Sequence, residues 1–164
     1  MKMKPCWFLL VILMFVKPLA AGQKYYYPNA EYPLFSVTLP DSWSAEADEN
    51  VLHASPADQS IYLGFWAVDI ESLDQVGEAL DEVLDDLIFD FEIEEEGELE
   101  INGMSVYYID GCGLDSDGDE MECSFGIFSP DGETFCVILY FGTEEAEEKH
   151  SKALNAILMS LKRE

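Results

Sequence analysis

The sequence predicts an α+β domain, an antiparallel β-sheet with helices packed on it. Three observations carry that expectation. Short apolar runs, some strictly alternating, are separated by Asn-Gly, Asp-Gly and Pro-Asp-Gly turn signals. Two longer stretches repeat their apolar residues every three or four positions, the spacing of a helix with one buried face. An aromatic content of 13% supplies bulk for a core despite a formal net charge of −26, whereas disordered acidic chains are poor in aromatics. The expected order is three strands, a helix, a meander of three or four strands and a closing helix, with no internal repeat.

The first residues read as a cleavable signal peptide over residues 1–22, leaving one domain over 23–164. Lys2 and Lys4 precede an apolar run from Cys6 to Val16, and Pro18 leads to the small residues Ala20, Ala21 and Gly22. Eleven apolar residues are too few to span a bilayer, so cleavage within Ala21 to Lys24 and a periplasmic or secreted protein are expected, with no stable membrane insertion afterwards. The remainder holds 34 acids against 5 lysines and arginines, a formal charge of −29. Such a surface repels nucleic acid and anionic membranes.

Lys24 to Pro33 is a Tyr- and Pro-rich lead expected to pack on the domain edge. Phe35 to Leu39 alternates and is closed by Pro40, and Asp41-Ser42-Trp43 turns the chain and delivers a large aromatic to the core. Val51 to Ser55 and Ile61 to Val68 are strands joined over Pro56 to Gln59. The second is apolar on both faces, as a strand covered on both sides would be. Ser72 and Gln75 form a capping box for a helix with the stripe Leu73, Val76, Leu80, Val83, Leu84, Leu87, Ile88 and Phe91. The Glu-rich stretch Glu92 to Glu100 leads to the Asn102-Gly103 hairpin signal. Strands then follow at Met104 to Gly111, Met121 to Phe128 and Phe135 to Phe141. Thr143 caps the last helix, whose stripe is Ala146, His150, Ala153, Leu154, Ile157, Leu158 and Leu161. Lys162 and Arg163 are expected at its C-terminal end.

The segments Phe35-Ser36-Val37-Thr38-Leu39-Pro40-Asp41-Ser42-Trp43 and Ala156-Ile157-Leu158-Met159-Ser160-Leu161 resemble the opening strand and turn, and the closing helix, of the PsbP-like superfamily with its periplasmic DcrB-like branch. The resemblance implies an α/β/α sandwich around an antiparallel sheet, used for binding or accessory roles rather than catalysis. Both segments are fold markers and carry no chemistry, and the charge excess of this chain departs from the family pattern.

Candidate chemistry is sparse. Asp115, Asp117 and Asp119 alternate on a hairpin tip and are candidate calcium ligands, although Glu120 and Gly126 occupy positions where an EF-hand needs Gly and Glu. His53 and His150 are too few and too far apart in sequence to seed a zinc site. No nucleophile elbow, phosphate loop or dinucleotide fingerprint occurs. If Asp117-Gly118 is a two-residue turn, residues equidistant from it face each other. That sets Cys112 opposite Cys123 and predicts a disulfide between them, with Cys136 free and opposite Gly126. The alternative is three reduced, buried thiols. The functional expectation is a non-catalytic accessory domain that binds another protein, one of basic character; a weak divalent-cation binder and a hydrolase are the alternatives.

Overall fold

The computed structural model describes residues 22–48, 50–70, 72–75, 84 and 87–164. The expected signal peptide therefore lies outside the described residues, except for Gly22. Ten strands and one α-helix are described: β1 (Gly22–Tyr27), β2 (Phe35–Pro40), β3 (Trp43–Asp48), β4 (Val51–Pro56), β5 (Ile61–Val68), β6 (Phe89–Ile101), β7 (Met104–Leu114), β8 (Glu120–Phe128), β9 (Phe135–Gly142), α1 (Glu144–Ser160) and β10 (Lys162–Arg163). Seven strands form one sheet in the order β3-β4-β5-β9-β8-β7-β6, and β2 holds β1 and β10 on its two sides in a smaller one. Every pairing is antiparallel. The class is α+β, as the sequence predicts.

Alternation along the strands sends side chains to two cores. On one face Leu63, Phe65, Phe128, Cys136, Ile138 and Tyr140 meet Phe35, Val37 and Leu39 of β2 and Ala146, Leu154 and Ile157 of α1. On the other face Phe125, Ile127, Val137 and Leu139 meet Ile88, with Ile70, Leu84 and Phe91 packed alongside. β5 contributes to both, which explains its unbroken apolar run. Trp43 is 7% exposed and meets His150 of α1 edge-on, with ring centroids 6.1 Å apart. The histidine also bonds Asp58, so it is a core-edge residue.

Several boundaries differ from expectation. Ser72 is followed by a turn of 3-10 helix, Leu73–Gln75; Val76, Leu80 and Val83 of the predicted stripe lie outside the described residues, while Leu84 and Leu87 are helical as expected, the Ile88 N–H donating to the Leu84 carbonyl at 2.9 Å. Leu87 is exposed, and Phe91 belongs to β6 rather than to a helix. The Glu-rich stretch is a strand of 13 residues. The Tyr-rich lead is also a strand, and Trp43 opens β3 after a turn at Asp41-Ser42. Lys162 and Arg163 do not cap the helix. Leu161 is extended (φ −56°, ψ 124°) and fully buried, so the chain leaves α1 and pairs with β2. Thr143 caps α1 as expected, its Oγ1 accepting the Ala146 N–H at 3.2 Å.

The predicted Cys112–Cys123 disulfide is not formed, and Cys112, Cys123 and Cys136 are free thiols. The hairpin loop has three residues, not two. Asp115 N–H donates to the Asp119 carbonyl at 2.9 Å, Gly118 N–H donates to the Asp115 carbonyl at 3.0 Å, and Gly118 takes a left-handed φ of 85°. This is a type I turn closed by a left-handed glycine. It shifts the register by one, which turns facing side chains to opposite faces. Cys112 pairs with Glu122 and Cys123 with Gly111. Cys136 likewise pairs with Phe128 rather than with Gly126.

Candidate functional site

From Tyr25 to Glu148 the sequence has no lysine or arginine. The seven-stranded sheet lies within that span, so its surface carries carboxylates without a single permanent cation. The described bases sit on β1, α1 and β10, where Lys24 pairs with Glu164 at 2.7 Å and Lys149 with Asp58. The acid is densest on β6, an edge strand of the sheet: Glu92, Glu94, Glu95, Glu96, Glu98 and Glu100 are all exposed. Hydroxyls from β7 steady part of this row. Tyr107 donates to Glu96 at 2.9 Å and Tyr108 to Glu95 at 3.1 Å. Tyr108 reaches across because Gly97 lies beneath it; a Cβ there would sit 2.9 Å from the Tyr108 oxygen. Ile93 stands 58% exposed among these acids and Phe89 49%. At the far end of the sheet a cleft of about 340 Å³ is lined by Asp90, Glu92, Cys112 and Glu120, with Gly113, Leu114 and Gly118.

The calcium candidates lie beside that cleft but do not converge. Oδ1 of Asp115 accepts the N–H groups of Asp117 and Asp119, each at 2.9 Å, so this carboxylate builds the turn. Among the described residues no group of three or more His, Cys, Asp or Glu side chains is arranged to hold a metal ion. The thiols are poor nucleophiles. Burial raises Cys112 to about 11 and Cys136 to about 12, and Cys123 lies higher still.

Sequence reasoning passed over the most unusual residue, Asp110. It continues the inward-facing series Met104, Val106 and Tyr108, and in register it stands beside Ser124, which stands beside Tyr140. Asp110 is 3% exposed, and no hydrogen bond of proper geometry reaches either carboxylate oxygen. Desolvation raises it to about 7; Ser124 beside it pulls the other way, and Glu95, Glu122 and Glu94 push it further up. Glu147 of α1, half-buried above the same face, is raised to about 8 by burial and by Glu122 and Asp110. The signal was available in the sequence as an acid at an inward position of an otherwise apolar alternation. Between α1 and the sheet lies a partly open, almost wholly apolar slot of about 30 Å³, whose walls include Val106, Tyr108, Ser124, Gly126, Leu154 and Leu158.

No protein-family model matches the sequence, and no curated protein matches it. Solved structures do match in three dimensions. Cyanobacterial PsbP from Synechocystis sp. PCC 6803 aligns with a TM-score of 0.62 at 13% identity, over 88% of this chain and 94% of that one. The fold is PsbP-like. LpqN of Mycobacterium tuberculosis, described as involved in cell envelope biogenesis, aligns with a TM-score of 0.55 at 16% identity, over 87% of this chain and 90% of that one. A protein of Bacteroides thetaiotaomicron aligns with a TM-score of 0.59 at 16% identity, and there the PsbP-like chain spans only 48% of the other's length. Among the described residues of this PsbP-like domain, no helix is long and apolar enough to cross a membrane.

Proposed function

We propose that this protein is an exported, non-catalytic accessory domain that binds a basic protein partner along β6 and the adjoining β7–β8 hairpin. One observation carries the reading: the seven-stranded sheet has no lysine or arginine, and its acids are concentrated on the edge strand β6. An edge strand offers backbone N–H and C=O groups for strand addition. A dense field of one sign speeds encounter with a surface of the other and orients it. The exposed Phe89 and Ile93 add apolar anchors within the charged row. Export is supported by the charged start, apolar run and small residues of residues 1–22.

Affinity capture from the source envelope at low and high salt tests the reading. The partner should be lost at high salt and lost equally to the charge-reversed variant Glu94→Lys, Glu96→Lys, Glu98→Lys. It should persist when Glu144, Glu145 and Glu148 of α1 are reversed instead. A partner indifferent to β6 reversal defeats the proposal.

A further inference from the structure

β6 is a regular template over only part of its length. Its first half is irregular twice, between Phe89 and Glu92 and between Ile93 and Glu95, whereas Glu95 to Ile101 pairs with β7 residue by residue. The Asn102-Gly103 turn, with φ values of 49° and 79°, is a two-residue turn of the primed type. The residues flanking it, Ile101 and Met104, exchange backbone hydrogen bonds, and bonded and non-bonded pairs alternate from there along the ladder. Leu99 and Gly97 therefore turn their N–H and C=O groups inward to β7, while Glu100, Glu98 and Glu96 turn theirs outward. The same alternation sorts the side chains. Glu96, Glu98 and Glu100 leave on one face, all exposed, where the Tyr107 and Ser105 hydroxyls reach Glu96 and Glu98. The other face carries Gly97, Leu99 and Ile101, and there Leu99 and Ile101 line the apolar slot with Leu154 and Leu158 of α1.

From this register we infer that the β6 edge takes an extended, antiparallel segment of the basic partner with lysine or arginine at every second position and apolar residues between. The edge offers its backbone groups at three glutamates whose side chains share a face, so the residues that bond to it are the basic ones. Each stands directly opposite a glutamate in a hydrogen-bonded pair, about 5.5 Å apart at Cα, where unlike charges attract. The intervening residues fall opposite Leu99 and Gly97. There apolar side chains meet the half-buried leucine and the Tyr108 side chain that reaches Gly97. The direction follows from the sheet, in which every pairing is antiparallel. A parallel segment would pair less stably and would pass the hydrogen bonds to its apolar residues.

The inference rests on the basic-partner reading, and the test separates the two. The probes are two acetylated, amidated heptapeptides of one composition and charge, the alternating Thr-Lys-Val-Lys-Val-Lys-Thr and the blocked Thr-Lys-Lys-Lys-Val-Val-Thr. Titrated calorimetrically at low salt, the alternating peptide should bind about tenfold more tightly, a difference of about 1.4 kcal/mol. The variant Glu96→Gln, Glu98→Gln, Glu100→Gln keeps the edge and removes its charge, and should erase that preference. Backbone N-methylation of the central lysine, whose N–H points at Glu98, should weaken the alternating peptide about tenfold, and N-methylation of a valine, whose N–H points away, should leave it nearly unchanged. Equal affinities of the two peptides, absence of binding included, overturn the inference. So does a preference that survives the glutamine variant, or one that falls with valine rather than lysine methylation. If a captured partner still responds to β6 reversal in those cases, the basic-partner reading stands without this pattern. An alternation preference beside a captured partner indifferent to β6 reversal does the reverse.

Discussion

Replacing Asp110 by Asn should stabilise the protein by an amount that grows as the pH rises from about 4 to about 7 and is full above that. In the folded chain the carboxyl titrates at about 7 against an ordinary value of 3.8. A raised carboxyl favours folding while it stays protonated, and that contribution disappears as the pH climbs through about 7. Stability is therefore full at acid pH and lost on the alkaline side. The gap is about three decades of proton affinity at ~1.4 kcal/mol each, which puts the full cost of ionising Asp110 near 4 kcal/mol. Roughly two of those decades lie above pH 5, so the advantage of Asn over Asp should grow by about 2–3 kcal/mol between pH 5 and pH 8.5. Asparagine is close in size, which keeps packing terms small, and its own amide desolvation applies at both pH values. Glu147, raised to about 8, weakens both proteins in the same direction over this range. Urea denaturation of wild type and variant at the two pH values, with unchanged slopes, measures the difference. A stability difference independent of pH, or a variant less stable at pH 8.5, would refute the assignment of a buried, unpaired carboxyl.

Three further outcomes are expected. Trp43→Ala should cost about 3–5 kcal/mol as a large-to-small change at a site 7% exposed; a loss below about 1 kcal/mol in the same melts would place the indole outside the core. Cys112, Cys123 and Cys136 should all be alkylated after unfolding without reductant, and Cys123 and Cys136, both buried, should resist the reagent in the folded protein. Recovery of a Cys112–Cys123 cross-linked peptide would contradict the register. Millimolar calcium should raise the Tm of wild type and of the Asp117→Ala, Asp119→Ala double variant equally, by screening self-repulsion; a gain confined to wild type would show a metal site at the hairpin tip.

Elements whose hydrophobic period matched their final state were legible in the sequence. β2, β5, β7, β8, β9 and α1 were placed to within a few residues because their apolar pattern and turn chemistry agree. The Asn102-Gly103 turn was equally plain, since φ values of 49° and 79° are what this dipeptide tolerates. β3 and β6 were harder. Ser44, Ala45, Glu46 and Ala47, and the run of glutamates on β6, have weak intrinsic strand preference, and what makes them strands is the neighbour each pairs with. The disulfide expectation failed on one residue of loop length, which the Asp-Gly dipeptide does not fix and the Asp115 carboxylate does. Asp110 was readable as an inward acid, but its isolation depends on which side chains surround it in three dimensions.

Both edges of the large sheet bear acids and no bases, Glu46 and Asp48 on β3 and the glutamate row on β6. Two copies that met edge to edge, in any combination, would bring carboxylate against carboxylate, so charge insulates an otherwise open template against self-templated growth. Insulation of this kind differs from a proline or an obstructing loop in being conditional on ionisation. In strong acid, where charge no longer separates them, the same edges become mutually compatible, and the β6 segment from Glu95 to Ile101, regularly paired on its inner side, becomes the natural starting point for fibrillar stacking.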